Sequence, residues 1–255
     1  MAVRRHVRVL LAAGGAVVVA LGVGGCGSAD AAGAPVETRS FALSGTSLTI
    51  DSDNSDLEIV PADVEDVRVS RQVDGWVFLG NGPEATWRMD DGRLSLRLKC
   101  EALAAACSAL HRVEVPRGVS VSVRDDNGNV AADGFATSLR VRTDNGDVVV
   151  RRAAGPLDLG SDNGRVIVGE SSTSTDVVAR SGNGDVRLAL SAVPRRVEVV
   201  GENGDIDIAL PRASYDVDGH SNNGTVRIGV PTAKGSGHAV TARNDNGGVT
   251  VREAN

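Results

Sequence analysis

The chain has 255 residues, of which 41% are hydrophobic and 24% are charged, a balance that excludes an intrinsically disordered protein. Its 33 acidic residues outnumber its 27 basic ones and give a net charge of −6, which argues against nucleic-acid binding because phosphate recognition needs a basic surface. Only 2% of the residues are aromatic, so few side chains are available to stack on bases or sugars.

Residues 1–25 have the features of a bacterial signal peptide. Three arginines near the start precede an uncharged run of Ala, Gly, Val and Leu from Val9 to Gly25. The run ends in the sequence VGGC, which resembles the lipobox of bacterial lipoproteins, in which the cysteine is diacylated, typically with palmitate, and becomes the mature N-terminus. The resemblance implies lipidation of Cys26. The alternative is an uncleaved membrane anchor, although a run of 17 residues is short of the roughly 20 that a membrane span needs.

The segment after the cysteine is small and polar, which predicts a flexible tether over residues 26–38. The tether would hold the rest of the protein on the extracytoplasmic face of the cell membrane, attached through the N-terminal lipid. We interpret residues 39–120 as divergent N-terminal β repeats with a cysteine-containing insertion, and residues 121–255 as regular β repeats.

The regular repeats are marked by the dipeptide Asn-Gly, which recurs at intervals of 18, 18, 20, 20, 20 and 23 residues. Apolar residues alternate with polar ones on both sides of each pair, as Val121 and Val123 do before the first pair and Val130 and Ala132 after it. This alternation predicts strand, turn and strand, with one face buried. The asparagines, which we expect to form a turn ladder, are Asn127, Asn145, Asn163, Asn183, Asn203, Asn223 and Asn246.

Two all-β folds fit this pattern. The first is a single-domain, right-handed parallel β-solenoid with coils of about 18–20 residues, in which equivalent residues stack about 4.8 Å apart. The alternative is a series of tandem antiparallel hairpins, each with Asn-Gly as its two-residue turn. We favour the solenoid, because a meander of about fourteen strands would leave its apolar face without a partner, whereas coils enclose their own core.

The repeat unit [ST]-x-N-G-[DN]-[VI] supports a resemblance to a known family. Residues Ser181–Val186 match it, and Gly201–Ile206 come close. These units look like the putative-adhesin repeat family of bacterial surface and envelope proteins, a domain of unknown function, and the likeness extends over about residues 40–253. The resemblance implies a β-solenoid without established catalytic residues.

Acidic residues precede the asparagine in three successive repeats, at Asp126, Asp144 and Asp162. Stacked coils would align these carboxylates in a ladder, which makes them weak candidates for binding Ca²⁺. The favoured interpretation is a solvated turn in which Asp and Asn suit the local backbone, so we predict no metal and no cofactor.

Cys100 and Cys107 flank a helix-prone segment rich in alanine. Export would place both cysteines in an oxidising compartment, so we predict a disulfide between them. A continuous helix would separate their Cα atoms by about 10.5 Å, so the disulfide requires a broken or looped insertion. The isolated residues His111, His220 and His238 are expected at the surface.

No nucleophile-elbow, P-loop or zinc-protease motif occurs in the sequence. The leading hypothesis is a lipid-anchored cell-envelope protein whose repeats form a non-catalytic, adhesin-like binding surface or a structural module, with an unknown envelope protein or polymer as partner and no nucleic acid. One alternative is a polysaccharide-active β-helix enzyme, because Asp and Arg occur on many coils, as at Arg140, Arg142, Arg165 and Arg227. The other is a surface module stabilised by Ca²⁺.

Overall fold

The computed structural model describes residues 30–254, apart from the side chains of residues 102–105 and 170. The predicted signal peptide and the lipidation site Cys26 lie outside the described residues. Nineteen strands of a single sheet and one 3₁₀ turn, Ala31–Gly33, account for the regular structure of the described part. No helix among residues 30–254 has the length and apolarity to span a bilayer.

The N-terminal strands are β1 (Glu37–Phe41), β2 (Ser47–Asn54), β3 (Asp56–Ala62), β4 (Val67–Asp90) and β5 (Arg93–Pro116). The repeat region contains β6 (Ser120–Asn127), β7 (Val130–Asp133), β8 (Leu139–Asn145), β9 (Val148–Arg151), β10 (Leu157–Asn163), β11 (Val166–Ser172), β12 (Asp176–Asn183), β13 (Val186–Leu190), β14 (Arg196–Asn203), β15 (Ile206–Leu210), β16 (Asp216–Asn223), β17 (Val226–Gly229), β18 (Ala239–Asn246) and β19 (Val249–Glu253).

The Asn-Gly repeats form the coils of a parallel β-solenoid. Each coil has one strand before its Asn-Gly corner and one after it, and each strand pairs in parallel with the same strand of the adjacent coil. Thus β6 pairs with β8 and places Asn127 beside Asn145, while β7 pairs with β9 and places Val130 beside Val148. The predicted parallel solenoid is confirmed and the hairpin alternative is wrong, because strands joined by Asn-Gly pair with neighbouring coils. The handedness of the winding stays a prediction.

The core runs along the inside of the coils. In the coil formed by β8 and β9, the four inward side chains are Leu139, Val141, Val148 and Val150, and each is 0% exposed. Equivalent residues of neighbouring coils are buried in the same way, so the core is a set of aliphatic columns parallel to the stacking axis. Burial of each such side chain contributes roughly 1.5–3 kcal/mol, and a single coil could not bury them alone.

The last two coils are stacked in the reverse of their chain order. Strands β14 and β15 pair with β18 and β19, not with β16 and β17. Strands β16 and β17 then pair with the other side of β18 and β19. The C-terminal coil is therefore inserted between two coils that precede it in the sequence.

The N-terminal part combines one coil with a long hairpin. Strands β2 and β3 form a coil that pairs in parallel with β6 and β7. Strands β4 and β5 form an antiparallel hairpin of 24 residues on each side, and β5 covers the end of the solenoid. Residues 93–96 of β5 pair with β2 and residues 110–116 pair with β3, so the segment between them leaves the coil at its corner and returns.

That excursion contains the two cysteines. The structure links Cys100 to Cys107 by a disulfide, with 6.5 Å between their Cα atoms. Residues 101–107 pair antiparallel with residues 75–81, so the segment predicted to be helix-prone is extended instead. Cross-strand hydrogen bonding to β4 outweighs the intrinsic helix preference of its alanines.

Part of the segment predicted as a tether belongs to the fold. Ala31 is 3% exposed, and the side chain of Gln72 donates hydrogen bonds to the carbonyl oxygens of Ala32 and Ala34 at 2.8 and 2.9 Å. Strand β1 begins at Glu37 and pairs antiparallel with β4. These contacts arise from β4, which the sequence pattern did not place beside the N-terminus.

Candidate functional site

The corner asparagines form a continuous hydrogen-bonded column along one edge of the solenoid. The Nδ2 group of Asn163 donates to Oδ1 of Asn145 at 3.1 Å and to the carbonyl oxygen of Asp144 at 3.2 Å. Its own Oδ1 accepts a hydrogen bond from Asn183 at 2.9 Å. The column, in stacking order, contains Asn54, Asn127, Asn145, Asn163, Asn183, Asn203, Asn246 and Asn223.

A second set of hydrogen bonds between coils accounts for the Asp or Asn that follows the Asn-Gly pair in four of its seven occurrences. Oδ1 of Asp147 accepts the backbone N–H of Arg165 on the next coil at 2.8 Å, and Oδ1 of Asn129 accepts that of Asp147 at 3.0 Å. The glycine of the pair allows close backbone contact, because a Cβ built on Gly146 would collide with the carbonyl oxygen of Gly128. The motif therefore holds successive coils together, and its polar groups are largely hydrogen-bonded within the protein.

The serine or threonine of the motif points inward beneath the corner. Ser161 and Ser181 each donate a hydroxyl hydrogen bond to the carbonyl oxygen of a corner glycine, at 2.8 and 2.9 Å. Asp125 occupies the same position in its coil and is 3% exposed, and neither carboxylate oxygen has a hydrogen-bond partner among the described residues. Burial, and to a smaller extent the nearby carboxylates, raise the pKa of Asp125 to about 7 against the opposing effect of the nearby Ser52 hydroxyl.

The acidic residues proposed as a ladder do stack on consecutive coils. Asp126, Asp144 and Asp162 are exposed and lie beside the asparagine column. Within residues 30–254, no group of three or more His, Cys, Asp or Glu side chains has the arrangement to hold a metal ion. Their geometry is that of a solvated row on the outer side of the corner.

The outward Asp and Arg side chains of the walls pair with each other across coils. Asp158 contacts Arg140 at 2.9 Å, Arg142 at 2.6 Å and Arg180 at 3.4 Å. Burial raises the pKa of Asp158, but the hydrogen bond from Arg142 and the three guanidinium charges outweigh it, so the pKa is lowered from its ordinary value. A carboxylate that three cations hold in its ionised form is a poor proton donor. The general acid of a glycoside-cleaving enzyme has to donate a proton, so Asp158 does not suit that role.

Histidine burial differs from the sequence expectation. His220 is exposed and His238 is half-buried, but His111 is 0% exposed, so its predicted surface position is wrong. His111 lies in β5 between Leu57 of β3 and Arg71 of β4. Burial, with a smaller effect from Arg71, lowers the pKa of His111 to about 4 and keeps the ring neutral. The sequence carried no signal for this burial, because it depends on the pairing of β5.

The distal coil, defined as β16 and β17, is the most open part of the solenoid. Among residues 30–254, each of its strands pairs with a strand on one side only. Val226 and Ile228 are 38% and 39% exposed, while the equivalent Val249 and Val251 of the covered coil are 0% exposed. The distal coil therefore presents free backbone groups and aliphatic side chains together.

Cavities on the walls are lined by groups that already have partners within the protein: one of about 260 Å³ contains Asp205, which accepts the backbone N–H of Gly248, and Asp207, which pairs with Arg252. A second, of about 450 Å³, is lined by Leu190, Pro211 and Arg252, and a third of about 450 Å³ by Glu37, Arg71 and Pro83. In the third, Arg71 and Glu37 already form an ion pair at 2.7 Å. The distal coil is accordingly the candidate binding site.

Comparison with known proteins agrees with this architecture. A family model described as Toastrack DUF4097 matches residues 46–252. Solved structures named as a putative adhesin from Bacteroides fragilis (14% identity, TM-score 0.54, covering 86% of this chain and 97% of that one) and from Parabacteroides merdae (12%, 0.51, 86% and 96%) are similar. One from Parabacteroides distasonis has 11% identity and a TM-score of 0.50, and covers 87% of this chain and 98% of that one. At these identities the likeness establishes the fold. No curated protein sequence gives a significant match.

Proposed function

The chain belongs to the Toastrack DUF4097 family, and on that premise we propose that it is a lipid-anchored cell-envelope protein whose solenoid is a non-catalytic binding module. The adhesin names of the similar structures support a surface-binding role. The VGGC sequence ending at Cys26 supports the lipid anchor. The ion-paired carboxylates of the walls, such as Asp158, favour binding over catalysis.

The observation that carries the binding role is the unpaired outer edge of the distal coil. An extended segment of a partner can add to such an edge through backbone hydrogen bonds, with side-chain contacts giving specificity. Val226 and Ile228 provide apolar contacts there, because Gly219 opposite them lacks a side chain. The partner that fits is an envelope protein with an extended, partly aliphatic segment.

The position of this edge suits presentation to a partner. The N-terminal end of the described chain packs against β4, and nine successive strand pairings lead from β4 through β5 to β17. At about 4.8 Å for each pairing, the distal coil lies roughly 43 Å from β4 along the stack. A lipid at the N-terminal end would leave the distal coil pointing away from the membrane.

Lipidation is tested by expressing the full chain in cells fed labelled palmitate. We expect label in the native protein and in the membrane fraction, and neither in the Cys26→Ala variant. A native chain that is exported without label would contradict the anchor.

Binding at the distal coil is tested by placing a photo-crosslinking residue at Arg227 of the full chain in intact cells. The matched control is Arg187, which has the same outward position in a covered coil. We expect a discrete adduct from position 227 and none from position 187. Equal crosslinking from both positions, or none from position 227, would contradict a binding edge at the distal coil.

A further inference from the structure

The excursion of the β4–β5 hairpin carries an apolar surface outside the core. We call it the tip, defined as residues 75–83 of β4 with residues 100–108 of β5. Three of the six large exposed hydrophobic side chains among the described residues are in the tip: Trp76 at 42%, Phe78 at 58% and Leu79 at 72%. Residues 75–83 contain no charged side chain, and the only charged residue among residues 100–108 is Glu101, which is paired with Asn81 across the ribbon. Large exposed apolar side chains grouped on one short segment mark a contact with a membrane or a partner.

The tip is held in shape by covalent and steric constraints. A fully extended segment from Cys100 to Cys107 would span about 23 Å, whereas the disulfide holds their Cα atoms 6.5 Å apart. Gly75 faces Cys107 so closely that a Cβ there would clash with the carbonyl oxygen of Ala106. The apolar side chains are therefore displayed by a bent ribbon whose two ends are fixed to the solenoid.

The chain enters the fold beside the tip. The backbone N–H of Asp30 donates to Oδ2 of Asp74 at 2.9 Å, and Asp74 precedes Trp76 by two positions. Three residues separate Cys26 from Asp30 in the sequence, so the cysteine lies within about 13 Å of Asp30 even when that segment is fully extended. A lipid on Cys26 would bring the bilayer surface to the tip.

We propose that the tip is a second membrane contact, with Trp76, Phe78 and Leu79 inserted at the headgroup level of the bilayer that holds the anchor. The inference rests on the proposed lipid anchor, because that anchor would hold the tip close to the bilayer surface. Tryptophan is favoured at this depth, where an apolar ring meets a polar surface. Two attachments at one end would fix the orientation of the solenoid relative to the bilayer, whereas a single anchor would fix only its position.

The experiment uses the two tryptophans of the chain as reporters. Trp87 lies 4.1 Å from the Arg71 guanidinium and packs edge-on against Phe41, within the solenoid end. The full lipidated chain is placed in vesicles of phosphatidylcholine and phosphatidylglycerol with brominated acyl chains, which quench nearby indoles. The Trp87→Phe variant reports on Trp76, and the Trp76→Phe variant is the matched control.

We expect brominated lipid to reduce Trp76 emission about twofold and shift it to shorter wavelength, while Trp87 emission is unchanged. A Phe78→Ser, Leu79→Ser double variant in the Trp87→Phe background should lose most of the quenching and keep the thermal melt of the solenoid. Acylated protein whose Trp76 is not quenched would overturn the tip contact and leave the anchor standing.

The remaining outcomes separate the two proposals. Quenching of Trp76 in protein that carries no acyl chain would retain the tip contact and remove the anchor. Equal quenching of Trp76 and Trp87 would overturn the tip contact, since it would mean that the whole end of the solenoid contacts lipid. Protein with neither acyl chain nor quenching would overturn both.

Discussion

The side chain of Asn246 donates a hydrogen bond to Oδ1 of Asn203 at 3.0 Å, although Asn223 lies between them in the sequence. Asn223 in turn donates to Asn246 at 3.1 Å, so the column follows stacking order and not chain order. Because of this reversed order, the more apolar C-terminal coil is covered on both sides. The distal coil, whose interior includes Gly219, lies at the open end of the stack. The reversed order therefore decides which coil carries the open edge of the stack.

Replacing Gly146 with alanine should destabilise the solenoid. Gly146 has a φ of 144°, and an added Cβ would collide with the carbonyl oxygen of Gly128. We expect a loss of about 1–3 kcal/mol in the free energy of unfolding, measured by urea denaturation. Gly169→Ala is the control, because its nearest added contact would be an ordinary 3.5 Å to Cγ of Arg151. Equal losses would show that corner geometry is not the cause.

Removing an interior rung of the asparagine column should cost more than removing its last rung. Asn163→Ala deletes two donated hydrogen bonds and removes the nearer of the two acceptors of Asn183, so we expect a loss of about 1–2 kcal/mol in unfolding free energy. Asn223→Ala removes one bond to Asn246 at the end of the column and should cost less than about 1 kcal/mol. Thermal melts of both variants measure the difference, and a reversed order would contradict the column's role.

Asp125 should make the protein less stable as the pH rises. The carboxyl has a pKa of about 7 in the folded state and an ordinary value near 3.8 when unfolded, so between these values only the unfolded state is ionised. Stability attributable to this group is therefore lost as the pH rises from about 4 through 7. Asp125→Ser introduces the residue found at this position in an adjacent coil, Ser52, and should stabilise by about 1–3 kcal/mol at pH 8, with little difference at pH 4.

Asp126→Ser is the matched control for this experiment, because Asp126 is the exposed neighbour of Asp125 in the same turn. We expect its unfolding free energy to follow the native protein across the pH range. A gain from Asp125→Ser that is the same at pH 4 and pH 8 would mean that packing, and not ionisation, is responsible.

His111 should have the opposite pH dependence. Its pKa is lowered to about 4 in the folded state, so below the ordinary value of 6.5 the unfolded state binds the proton first. Stability is then lost as the pH falls from about 6.5 to 4, by roughly 2–3 kcal/mol. In an Asp125→Ser background, which removes the opposing titration, His111→Leu should abolish this loss.

The control for the histidine is His220→Leu, since His220 is exposed. Urea denaturation at pH 4.5 and pH 7 measures the change in unfolding free energy for each variant. Retention of the full acid-induced loss in His111→Leu would contradict the assignment to this residue.

The sequence by itself determined that the chain is built from strand, turn and strand repeats with one buried face. Alternating apolar residues on both sides of each Asn-Gly pair, as at Val148 and Val150, require one buried face, and near-identical repeats can satisfy that requirement by stacking in register. The spacing also singled out the corner asparagines, whereas the disulfide between Cys100 and Cys107 is predicted from export to an oxidising compartment. The features of the repeats are local and periodic, so each repeat carries the same information.

Only the tertiary structure decided which segments become neighbours. The order of the last two coils, the extended form of residues 101–106, and the burial of His111 and Asp125 depend on strand pairings between segments far apart in the chain. Every repeat has the same corner motif and the same alternation of apolar residues, so the sequence does not indicate which coils stack on each other. The one exception is the longer last interval between Asn-Gly pairs. The free energy of strand pairing depends on both partner strands. The unpaired edge of the distal coil and the tip are therefore defined only when all the coils have stacked.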